Sequence, residues 1–241
     1  ERQSSSHPEF FSERTLIAGV VITLIMAVIE ALAGWVSGSL ALLSDAGHML
    51  SDAAALALAA IATRLGQHPP SPRHSYGLGR AEVIAATLNT LIMLFIVSVL
   101  VMSAIHRFAQ PEPIAGGIVV VVALIGLAVN AGLAWLLHRS AGSSLNVRAA
   151  FLHVIADLLG SVAALTSGLV IWLTGWVTID PILSLVICAL ILWSAWHLLR
   201  EGMLVIMEGV PRHLDLTEVG HAIARIPHVG SVHDLHIWTL S

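Results

Sequence analysis

Six long apolar runs constrain this chain more than any other feature: they lie at about 15 to 37, 40 to 64, 82 to 107, 115 to 138, 148 to 174 and 179 to 200. Each approaches the ~20 residues that carry a helix across a bilayer, and together they predict an all-α polytopic membrane protein with six transmembrane helices. Only 11% of the 241 residues are charged and 57% are hydrophobic, which excludes an ordinary soluble domain, where charge runs at roughly 25%. The formal net charge is -4 and no basic tract follows a phosphate-like spacing, so no nucleic-acid partner is expected. Cys188 is the single cysteine and lies inside an apolar run, which leaves neither a disulfide framework nor a cysteine metal knuckle.

All eleven basic residues are arginines. In a six-span model Arg2, Arg14, Arg64, Arg73, Arg80, Arg139, Arg148, Arg200, Arg212 and Arg225 fall on one side and Arg107 alone on the other. The positive-inside rule then predicts cytoplasmic N- and C-termini, with short outer turns near Gly38 and Ser39, near Pro111 to Pro113, and near Thr178 to Pro181. The predicted domains are a cytoplasmic N-terminal segment at 1–14, a transmembrane domain at 15–209 and a cytoplasmic C-terminal part at 210–241. In that last part LTEVGHAIARI has amphipathic helical spacing and HVGSVHDLHIWTL alternates like a strand. One helix and one strand fall short of a stable unit, so 210–241 reads as the start of an incomplete α+β domain.

Ionisable residues inside spans are where function is sought, because each costs at least ~2.5 to 3.5 kcal/mol at the bilayer centre and needs a partner. Span two holds Asp45, His48 and Asp52 in LLSDAGHMLSDAAAL, and offsets of three and seven place all three on one helical face. Span five holds His153 and Asp157 in AAFLHVIADLLGS, repeating the H-x-x-x-D offset. Two imidazoles and two carboxylates suit a tetrahedral zinc-like ion if the two spans face each other, and the two acids neutralise a divalent cation. Imidazole donors favour zinc, copper, iron or nickel over magnesium or calcium.

The remaining polar residues leave alternatives open. Asp45 is a pathway residue, a solvated residue or a helix cap; Glu30 in span one is a proton relay or a structural partner. Asn89 and Asn130 read as interhelical hydrogen-bonding glue, and His68 and His74 as surface residues of a Pro- and Gly-rich loop. His233 and His236 share a face only if their segment is helical.

LLSDAGHMLSD, RHSYGLGRAE and LNVRAAFLHVIADLLGS together resemble the cation diffusion facilitator family over nearly the whole chain, and its zinc-exporting branch in particular, where both core motifs read H-x-x-x-D. The resemblance implies a homodimer with six spans and a cytoplasmic domain of helix and strand, exchanging a divalent metal for protons. By position it implies His48, Asp52, His153 and Asp157 as the transport site, and Arg80 with Glu208 as a charge pair tying spans three and six together in the dimer. His74 matches one ligand of an accessory loop site, although its neighbouring ligand positions here are Ser71 and Leu78; His233 matches a ligand of cytoplasmic metal sites.

The expected function is therefore a Zn2+/proton antiporter of the bacterial inner membrane, with Cd2+, Co2+ or Ni2+ as further substrates. Two other readings stand beside it. An intramembrane zinc metalloenzyme would use bound metal to activate water, although no H-E-x-x-H pair or evident general base is present. A passive metal channel would show flux indifferent to a pH gradient.

Overall fold

The computed structural model describes residues 13–69, 71–72, 74–139 and 145–239, with side chains described over 20–69, 71–72, 74–135, 154–155 and 157–239. The expected N-terminal segment, apart from Glu13 and Arg14, lies outside the described residues. Six long helices follow in order: α1 (Glu13–Ser37), α2 (Leu40–Gly66), α3 (Ala81–Ala109), α4 (Gly116–Arg139), α5 (Leu145–Thr174) and α6 (Ile179–Ile206), then a short α7 (Leu216–Ala224). All six long helices carry a stretch apolar and long enough to cross a membrane, so the chain is a polytopic integral membrane protein. Large apolar side chains such as Phe95, Trp172 and Trp193 point outward, as lipid contact requires.

The chain resolves into two compact units, one of residues 1–53 and 95–191, the other of residues 54–94 and 192–241. In the first, α4 and α5 pack through small residues: Ala123 and Ala164 are fully buried with Val119 and Leu42, and a Cβ added to Gly168 would lie 2.9 Å from the Val120 nitrogen. Without a hydrophobic drive between helices in lipid, such close backbone approach is what dispersion needs.

One end of this unit is held by Asp180, in the first turn of α6 and fully buried. Its carboxylate accepts from the Ser39 hydroxyl (2.6 Å), the Leu40 amide (2.6 Å) and the Ser167 hydroxyl (2.9 Å). Ser39 in turn accepts from the Leu42 amide at 3.2 Å, as an N-cap does. The first amides of α2, which have no partner inside their own helix, are thus satisfied by a cap and by an acid from α6. Arg107 completes the group: it donates to the Gly38 carbonyl, and its guanidinium lies 3.8 Å from Asp180 and 3.3 Å from Glu112. Arg107, the arginine expected on the side opposite the other ten, is therefore neutralised locally.

In the second unit, Arg80 pairs with Glu208 at 2.7 Å, and Tyr76 meets Trp238 edge to face with centroids 6.5 Å apart. Helix α6 outruns the expected span, because Arg200 and Glu201 do not stop a helix; it ends where Glu208 turns to a φ of 56° ahead of Pro211. Asp215 caps α7 by accepting from the amides of Thr217 and Glu218 at 2.7 and 3.0 Å.

The strand expected in 228–240 is not formed over its described residues, 228–239: no β-strand exists among the described residues, and 210–239 holds the helix α7 followed by irregular backbone. Asp234, at φ 54°, leaves the extended region and interrupts the alternation, and no second strand among the described residues offers the ladder a partner.

Two outcomes follow. Asp180→Ala strands buried donors and is expected to lower stability by about 3 kcal/mol, seen as a lower Tm in detergent, with Asp180→Asn intermediate; an unchanged Tm would refute this role. The Glu218 amide, then the Thr217 amide, hold the Asp215 carboxyl below its ordinary value of 3.8. The cap is therefore fully effective above that value and is lost as pH falls through the lowered one, and Asp215→Ala should speed hydrogen exchange across 216–224 at neutral pH.

Candidate metal centre

Helix α2 presents Asp45, His48 and Asp52 along one stripe, and the α2 cap at Ser39 sets the rotation of that stripe. On α5, Asp157 lies on the same face as Ser161, one turn on. The fold brings three of the four expected ligands together: His48, Asp52 and Asp157 each offer a ligand atom within 4.8 Å of the others. The His48 Nδ1 is 3.5 Å from Asp52 Oδ2 and its Nε2 is 3.9 Å from Asp157 Oδ1. The two contacts use opposite nitrogens of one imidazole, of which a single ion takes one; donors bound tetrahedrally at ~2.0 to 2.2 Å are separated by roughly 3.3 to 3.6 Å, so an ion would draw the three residues closer than the 4.8 Å within which their ligand atoms now lie. His153 is on α5 four residues before Asp157; its side chain lies outside the described residues.

Access is graded across the group. The side chains of His48 and Asp52 are 21% and 28% exposed, against 5% for Asp157. Nitrogen and oxygen donors of intermediate softness, with two negative charges, match a divalent transition ion better than calcium or magnesium.

Asp45 is neither solvated nor a cap. It is 1% exposed, one turn N-terminal to His48, and its Oδ2 accepts from the Ser161 hydroxyl at 3.2 Å, which accepts from Asn130 Nδ2 at 3.2 Å. Asn130 therefore joins α4 to α5 as the glue its position predicted. Glu30 is also fully buried.

The accessory positions are not gathered into a site. His74 is exposed in a tight turn where its amide and carbonyl pair with those of Ser71. His68 hydrogen-bonds the last carbonyls of α2 through Nδ1, at 3.3 Å to Arg64 and 3.2 Å to Leu65. His233 is exposed and its Nδ1 is 3.2 Å from the adjacent Asp234. Among the described residues, His48, Asp52 and Asp157 are the group of three or more potential ligands within reach of one ion. Asp180 and Ser161 went unremarked in the sequence, because a turn acid and a lone serine carry no spacing signal.

The cation efflux transmembrane domain model matches residues 16–207. The zinc transporter ZitB of Yersinia pestis is 45% identical over 229 residues, 94% of this chain and 73% of the relative. ZitB of Escherichia coli K12 is 44% identical over 238 residues, 98% and 76% of the two chains. A protein of Bacillus velezensis named as a cadmium, cobalt and zinc/H(+)-K(+) antiporter is 39% identical over 228 residues, 94% and 72%.

Replacing Asp52 by Asn is expected to weaken zinc binding to the purified chain by more than about 100-fold, beyond the loss typical of an outer-shell change. Calorimetric titration measures it. Wild-type affinity should itself fall as pH drops below the ordinary imidazole range near ~6.5, because proton and metal compete for one lone pair.

Proposed function

The chain belongs to the cation efflux family, and from that premise we propose that it is a zinc/proton antiporter, expelling Zn2+ from the cytoplasm by alternating access. The observation that carries this reading is the convergence of His48 and Asp52 from α2 with Asp157 from α5, on two spans that share the H-x-x-x-D spacing. His153 is the fourth ligand in this reading. The names of the relatives support zinc as substrate, and cadmium and cobalt beside it. They also support a transporter in place of an enzyme.

The chemistry follows from the donor set. Zinc entering from the cytoplasm takes lone pairs that protons hold on the imidazoles, and the protons leave to water on that side. Asp52 and Asp157 balance the ion's two charges, so the loaded site is nominally neutral and the bundle can reorient without moving a bare charge through hydrocarbon. Protons arriving from the opposite side then displace the metal. Graded exposure supports an order of ligation in which Asp157 closes the site.

The remaining assignments belong to the same proposal. Both termini face the cytoplasm of a bacterial inner membrane, 15–209 is the transmembrane domain, and the chain works as a homodimer. The Arg80–Glu208 pair, which is formed within one chain at 2.7 Å, braces the ends of α3 and α6 near the cytoplasmic face.

The test is zinc flux into proteoliposomes holding an internal zinc indicator, with and without an imposed pH gradient. Wild-type flux should follow the gradient, and Asp157→Ala should abolish it while the protein elutes and melts as the wild type does. Wild-type rates from Asp157→Ala would sink the site. Flux indifferent to pH at clamped voltage would make the chain a channel.

A further inference from the structure

A second acidic position in the first unit lies apart from the metal ligands. Glu30 is the one ionisable residue in the apolar stretch of α1. It is 0% exposed, and among the described residues neither Oε1 nor Oε2 has a hydrogen-bond partner. Its carboxyl rests on the backbone of Gly126 in α4, where an added Cβ would collide with Oε1; the Met26 methyl closes the same space. Asp45 repeats the arrangement from α2, resting on Gly160 of α5. Two facing helices have thus given up a side chain where an acid from the opposite helix must fit.

The groups between the two acids form a polar stripe. Gly126 and Asn130 are one turn apart on α4, and Asn130 donates to Ser161, which donates to Asp45. Asp157 is one turn from Ser161, and Asp45 one turn from His48. Among the described residues, the charged groups acting on Glu30 are Asp45 from α2 and Asp157 from α5, and the described side chains of α4, its packing partner, include no titratable group. Burying an ionised carboxylate costs heavily unless a donor or a cation compensates it, and among the described residues Glu30 has two acids beside it and neither of these.

We propose that Glu30 is a proton carrier of the exchange cycle, distinct from the metal ligands and sensing their occupancy through the Asp45–Ser161–Asn130 stripe. With the metal site empty, Glu30 holds its proton. A divalent ion at His48, Asp52 and Asp157 offsets the neighbouring carboxylates, the Glu30 O–H bond breaks, and the proton passes to water on the side open at that stage. When metal departs, Glu30 takes a proton from water on the other side. One O–H bond is broken and one formed per cycle, and nothing is oxidised or reduced.

This inference rests on the antiport reading, and the experiment separates the two. Zinc is titrated into the full chain in weak buffer while bound zinc and released protons are both measured, and flux is followed in proteoliposomes. Glu30→Gln, close to isosteric, is expected to bind zinc at unchanged stoichiometry, to release fewer protons by about one per zinc, and to lose the pH-gradient stimulation of flux. Glu30→Asp, which keeps a titratable group, should restore the proton count. Should Glu30→Gln fail to fold, infrared difference spectra decide: the protonated-carboxyl band of the wild type should vanish on zinc binding, and Glu30→Asp should shift it. Unchanged proton release and pH response in Glu30→Gln, lost zinc stoichiometry, or a carboxyl band indifferent to zinc or to Glu30→Asp would each overturn the proposal. A wild type that moves zinc without protons overturns the antiport reading itself, and Glu30's role falls with it.

Discussion

Water is absent from the hydrocarbon core, so every polar group that the helices carry there must find its partner inside the protein. The first unit can be understood as successive answers to that demand. At the turns joining the spans, Asp180 is saturated by hydroxyls, an amide and a nearby guanidinium. Deeper in, Asp45 has the Ser161 hydroxyl and a glycine surface to lie on. Glu30 has the glycine surface and, among the described residues, no donor. His48, Asp52 and Asp157 have one another, at separations that an ion can bridge.

This gradation separates acids that hold the structure from acids that can change state. A carboxylate surrounded by fixed donors, like Asp180, keeps one arrangement and locks the start of α2 to α6. That lock fixes the start of α2, the helix that carries His48 and Asp52. Acids whose compensation must come from a mobile species, a metal or a proton, are sites whose occupancy can alternate. Exchange between two cations is then a property of how the acids are partnered, in addition to which residues they are.

The spans were legible because a helix crossing lipid needs about twenty apolar residues whatever surrounds it. The H-x-x-x-D pairs were legible because an offset of four is one helical turn, so spacing alone places donors on one stripe. Asp45 was not: a carboxylate two turns into a helix reads equally as exposed or buried until α5 is seen to cover it with Gly160 and Ser161. The alternation in 228–240 predicted a strand that is not formed over its described residues, since a strand depends on a partner that its own residues do not encode. Arg107 looked like an exception to charge asymmetry and proved to be a bound counter-charge.

By itself, then, the sequence determined that this is a six-span membrane protein carrying two identically spaced His/Asp pairs, because hydropathy and helical periodicity are local properties of a chain. Which acids meet, which are left without donors and which are locked was decided by the tertiary structure alone. Those outcomes depend on contacts between residues as distant in sequence as Leu40 and Asp180 or Glu30 and Gly126, and local spacing carries no information about such contacts.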